Sequence, residues 1–214
     1  MLSLDLKRNP EEAANTLTHG AGAVSSAAGG ATLVALAAQG DVWQFASAAI
    51  YSLSMVLLYV ASTLFHWEEE PVAKRRFEVF DHCAIYIAIA GTYTPFLLVT
   101  LRDGVGGPML AVIWTLAAAG VAFKLVFATR FRLCSTLCYI AMGWLIVLVG
   151  APMFQALPTV ATLLLVVGGL AYTVGTYFFY HERFPYTHTI WHLFVLLGSA
   201  CHFVAVATQV VPGA

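Results

Sequence analysis

Residues 187–203 read THTIWHLFVLLGSACHF, a run apolar enough to lie in a bilayer yet punctuated by His188, His192 and His202. In a helix, His188 and His192 stand about 40° apart in azimuth and roughly 6 Å apart along the axis, so both imidazoles can address one point. That is the spacing of metal ligands. A single histidine there is more readily explained by interfacial or core packing. Ionisable groups within spans are costly, face the bundle interior and usually serve a function, so the pair directs attention to what else meets it.

The chain has 214 residues, 60% of them hydrophobic and 10% charged, against about a quarter charged in soluble domains. It reads as a membrane protein. A net charge of −1 gives no footprint for nucleic acid. The four cysteines, Cys83, Cys134, Cys138 and Cys201, lie in apolar segments and read as small buried hydrophobes rather than a disulfide framework. Cys134 and Cys138 share a helix face, but a metal site there needs two further ligands.

Seven apolar stretches are long enough, or nearly so, to cross about 30 Å of hydrocarbon: residues 16–38, 42–66, 80–101, 108–128, 133–149, 158–180 and 187–211. The expected fold is an all-α seven-helix transmembrane bundle over residues 16–211, preceded by a polar segment, 1–15, in which Pro10 can open a helix. The fifth stretch is the shortest, and Pro95 predicts a kink or break in the third. Gly22, Ser26 and Gly30 recur every four residues, a pattern that lets another helix come close. The connections are short, the longest expected over residues 67–79.

Orientation follows from the basic residues. Lys7 and Arg8, then Lys74, Arg75 and Arg76, then Lys124, Arg130 and Arg132, then Arg183 fall on one side if Lys124 snorkels to the interface; Arg102 falls on the other. This predicts a cytoplasmic N-terminus and an external C-terminus.

On that topology the ionisable residues gather at the cytoplasmic end. His66 closes the second span, Asp81 and His82 open the third, and His188 and His192 open the seventh. Three helices can thus present His66, Asp81, His188 and His192 at similar depth, imidazoles and a carboxylate suited to Zn²⁺. Asp81 is also explained as a solvated helix N-terminal acid. His82, about 100° away, reads as interfacial. Ser62 lies one turn before His66, either bonding a water or substrate at the site or back-bonding to its own helix. Glu12, Asn15 and His19 share one face of the N-terminal segment and suit a polar lid or second layer around the metal, although capping alone also accounts for Glu12 and Asn15. His202 lies roughly 21 Å beyond His188, too far to share its ion; it either lines the same interior cavity or, the preferred reading, forms a structural bond between helices.

The pattern E-x-x-N-x-x-x-H at Glu12, Asn15 and His19, S-x-x-x-H at Ser62 and His66, Asp81 in the next span and H-x-x-x-H at His188 and His192 resembles the hemolysin III proteins of bacteria, within the superfamily of progestin and adipoQ receptors, with a wider likeness to alkaline ceramidases. The resemblance implies a seven-helix bundle with an inside N-terminus in the bacterial plasma membrane. It also implies zinc held by His66, His188 and His192, with Asp81 joined through a water and Ser62 beside that water. Haemolysis and control of membrane fluidity or energetics are associated with the bacterial branch. The chain lacks the long polar N-terminal region of the animal receptors, which argues against hormone binding.

Three functions remain open from the residues. A zinc-dependent hydrolase would act on an amide- or ester-linked lipid drawn into the bundle, with Asp81 as proton acceptor and Ser62 as orienting group. A lipid-sensing regulator would use zinc to tie helices together. A cytolysin fits less well, because no stripe of ionisable residues runs the depth of the bundle. A membrane lipid or fatty-acyl ligand in the cavity is the expected partner.

Overall fold

The computed structural model describes residues 9–181 and 184–213 and is all-helical over them. Lys7, Arg8 and Arg183, used above for orientation, lie outside the described residues. Eight helices follow in order: α1 (Pro10–Ala37), α2 (Val42–Trp67), α3 (Pro71–Pro95), α4 (Gly106–Phe127), α5 (Arg132–Trp144), α6 (Gly150–Ala156), α7 (Thr159–Tyr180) and α8 (Thr187–Val210). Six are long and apolar enough to cross a membrane, and the bent pair around α5 and α6 makes a seventh if counted as one span. This is a multi-span membrane protein.

Two helices start well before their apolar stretches. α1 begins at Pro10, as that proline allows, with the Asn9 side chain accepting from Glu11 N–H, six residues ahead of the apolar stretch that begins at 16. α3 begins at Pro71 rather than 80, because Glu70 accepts from the N–H groups of Val72 and Ala73 and Pro71 supplies a preset φ at the first helical position. The long connection expected over 67–79 therefore shrinks to a few residues. Asp81 and His82 sit about 15 Å along α3, not at its mouth, so Asp81 is no helix N-terminal acid.

Two breaks have identifiable causes. Pro95 has no N–H to return to the preceding turn, and the helix widens into a π-helical turn, Phe96–Thr100, closed by Leu101 N–H to Phe96 C=O at 2.9 Å. After α5 the chain runs as a 3₁₀ turn, Leu145–Val149, and bends by 67° into α6. Backbone groups freed in an apolar medium need partners. The Tyr93 hydroxyl supplies them, accepting from Ile146 N–H at 2.8 Å and donating towards the carbonyls of Met142 and Gly143 at 2.9 and 2.8 Å.

The small-residue face of α1 packs on α2. A Cβ on Gly22 would stand 2.5 Å from Tyr59 Cδ1, and one on Gly30 would stand 2.8 Å from Ser52 Cβ, so the close approach requires glycine at both. Large apolar side chains such as Leu53, Val126, Leu148 and Leu163 point outward, as a lipid-facing surface demands. The thiols are all free; Cys83 is buried, but Cys134 and Cys138 are exposed on α5, contrary to their reading as buried hydrophobes.

Candidate metal centre

His66 closes α2, while His188 and His192 lie in the first two turns of α8, and one ligand nitrogen from each falls within 4.8 Å of the other two. An ion at about 2.0–2.1 Å from imidazole nitrogens requires pairs about 3.4 Å apart at tetrahedral angles. Closure therefore asks no more than about 1.4 Å of any pair, a modest movement for three rings already in edge contact, with centroids 4.7–4.9 Å apart.

The surrounding hydrogen bonds define which nitrogens face an ion. His66 Nδ1–H donates to Glu12 Oε2 at 2.6 Å, and Lys74 Nζ holds the other oxygen of that carboxylate at 3.3 Å. Thr18 Oγ1 lies 3.1 Å from His192 Nδ1. Its single proton goes back to the carbonyls of Ala14 and Asn15, so the hydroxyl oxygen accepts from His192 Nδ1–H. Anchoring Nδ1 of both rings leaves Nε2 as the ligand nitrogen, the arrangement metal-binding histidines adopt with a carboxylate or hydroxyl behind them. The donor set fits a divalent ion.

The remaining sequence candidates converge here too. Ser62 Oγ is 2.6 Å from His19 Nδ1, and Ser62 and Asp81 line the same cavity. Ser62 thus addresses the site rather than its own helix. His19 stacks face to face on His192, with centroids 3.4 Å apart and planes 9° from parallel, while its buried Nε2 has no hydrogen-bond partner. Asn15 Oδ1 accepts from Thr189 Oγ1 at 2.6 Å, and Glu11 Oε1 from His188 N–H at 3.3 Å. The first helix is therefore laced onto both histidine-bearing helices.

Sequence reasoning missed Thr18 and Thr189, whose only sequence signal is a hydroxyl three residues from Asn15 and from His192 respectively. It also misplaced His82. That residue is buried, with Nδ1 lacking a hydrogen-bond partner, and it lines the same cavity as Asp81 because α3 runs deep along the cavity wall. His202 bonds Leu165 C=O on α7 at 3.3 Å, in keeping with a bond between helices, and also lines the cavity.

That cavity, about 170 Å³, has Ser62, Asp81 and His188 at one end and Trp144, Tyr172 and His202 at the other, with a predominantly apolar wall between.

A family model described as "Haemolysin-III related" matches residues 7–203. The chain belongs to that family. It is 47% identical over 205 residues to Hemolysin-3 of Bacillus cereus, covering 95% of this chain and 94% of the relative. A Hemolysin-3 homolog of Bacillus subtilis (strain 168) is 44% identical, with 92% of each chain covered. The human Monocyte to macrophage differentiation factor is 31% identical over 202 residues, 92% of this chain and 83% of that protein.

Proposed function

We propose that this haemolysin-III family protein is a zinc-dependent hydrolase of an amide- or ester-linked membrane lipid. The observation that carries the reading is a three-histidine cluster opening into an apolar cavity, with a carboxylate and a hydroxyl beside it. A divalent ion bound there supplies Lewis-acid polarisation of a carbonyl and acidifies a water. Asp81 takes the proton of the attacking water at its carboxylate and returns it to the leaving group. Ser62, whose Oγ is held 2.6 Å from His19 Nδ1, donates its O–H towards charge developing on the carbonyl oxygen. The apolar wall accepts the acyl chain and limits water to the polar end.

The site sits at the end of the bundle that carries Lys74, Arg75, Arg76, Arg130 and Arg132. This supports a cytoplasmic location for it, with the N-terminus inside and the chain in the bacterial plasma membrane.

A test incubates purified protein with ceramide and phospholipid mixtures, compares His192→Ala, and measures metal content of both. Product formed by the wild type and lost together with the metal in the variant supports the reading; equal product from both overturns it. The bonds from Glu12 and Thr18 to His66 and His192 favour a second reading, a lipid-responsive regulator in which zinc ties α2 and α8 together. Metal retained at full stoichiometry without turnover of any lipid points there.

A further inference from the structure

The cavity wall also carries a charge that the hydrolytic reading leaves unused. Lys124, in the last turn of α4, is 1% exposed. Among the described residues no ion pair or hydrogen bond holds its ammonium group. Glu78 is the acid whose field reaches it, from beyond ion-pair range. A buried lysine without an ion-pair partner is expensive inside a membrane protein. His82 on α3 stands on the same wall with its buried Nδ1 unpartnered, and Arg132 at the start of α5 lines it as well.

We propose that Lys124, with His82 and Arg132, forms a subsite for the phosphate of a lipid headgroup whose chain lies in the cavity. Three donors approach from three helices. That disposition suits a tetrahedral group with several oxygens better than a planar carboxylate, and Lys serves phosphate as a point charge. Asp81 and His82 are consecutive on α3, so the subsite adjoins the proposed scissile position, as in a lipid whose acyl linkage lies a few bonds from its phosphate. The inference rests on the reading of the cavity as a lipid site, but not on hydrolysis or on the metal.

The experiment measures binding to the full chain in dodecyl maltoside, a phosphate-free uncharged detergent. The probes are lauroyl lysophosphatidate, monolauroylglycerol, lauric acid and inorganic phosphate. Lysophosphatidate is expected to bind about tenfold more tightly than monolauroylglycerol. Lys124→Met abolishes that preference, while Lys124→Arg retains most of it. His192→Ala keeps it, so failure of the metal reading leaves this result standing. Equal affinity for the two glycerolipids in the wild type overturns the proposal, as does a preference unchanged in Lys124→Met. Lauric acid binding with the same dependence on Lys124 identifies a carboxylate site, and inorganic phosphate binding as tightly as the lysolipid identifies a free-anion site; either also overturns it. If Lys124→Met does not fold, the wild-type comparison and Lys124→Arg still decide.

Discussion

Glu12 Oε2 lies 2.6 Å from Nδ1 of His66, so the first turn of α1 orients a ring at the far end of α2. The carboxylate fixes the tautomer and raises the basicity of the ligand nitrogen. Glu12→Gln preserves the shape of the contact but removes the charge. Affinity for zinc is expected to fall by about 10–100-fold, read by competition with a chromophoric chelator. Unchanged affinity would show that His66 needs no carboxylate behind it.

Metal removal should loosen the bundle where α2 meets α8. An ion that binds only the folded chain stabilises it by about 4 kcal/mol at a thousandfold excess over its dissociation constant. Stripping the wild type with a chelator is expected to lower its melting temperature, and adding zinc back should restore it. His66→Ala should melt low and respond to neither treatment. A wild type indifferent to both would separate the histidine cluster from metal.

Much of this site is legible in the sequence because its ligands sit in a medium that tolerates few of them. In a chain with seven histidines, His188 and His192 declare one face at four-residue spacing, and sorting span ends by leaflet brings His66 and Asp81 to them. Hydropathy marks the apolar stretches of α1 and α3 but not where the helices begin, because it reports the bilayer, not the helix; Pro10 marked the first start. The charged turns from Pro71, with Lys74, Arg75 and Arg76, continue α3 into water. Glu70 followed by Pro71 was the available signal for that start. Lys124 and His82 were hidden for a different reason: spacing says which residues share a helix face, but not how wide a cavity that face lines. The bend after α5 depends on Tyr93, a partner about fifty residues away in sequence, which no local pattern discloses.

The α1–α2 interface should resist enlargement at Gly22. A Cβ there meets Tyr59 Cδ1 at 2.5 Å and Leu196 Cδ2 at 3.0 Å. Tyr59 cannot retreat freely, because its hydroxyl donates to Ser199 Oγ at 2.7 Å. Gly22→Val is expected to cost about 1–3 kcal/mol by overpacking, seen as a lower melting temperature. Gly107→Val makes a fitting control, since a Cβ there meets nothing within 4 Å.

Acid should fray the start of α3 first. The N–H groups of Val72 and Ala73 hold the Glu70 carboxyl below its ordinary range. A folded-state value below the unfolded one means that this cap stabilises fully above the unfolded value and is lost as pH falls through the folded one. Amide exchange over residues 71–74, corrected for intrinsic rates, is expected to accelerate on acidification. Glu70→Gln should flatten that dependence, whereas an identical pH profile in the variant would assign it to other groups.

Ser62 offers the cleanest separation of metal binding from chemistry. Its hydroxyl lies 2.6 Å from His19 Nδ1 and lines the same cavity as Asp81, and it is not among the three clustered ligands. If the Ser62 O–H serves charge that develops only during acyl transfer, Ser62→Ala loses turnover without losing zinc. The expected drop is about a hundredfold or more in kcat, with metal stoichiometry and melting temperature near those of the wild type. His19→Phe retains a flat ring against His192 but cannot bond Ser62, and it should reproduce part of the same loss. A Ser62→Ala protein that loses zinc in proportion to activity would instead place the hydroxyl in the support of the metal site.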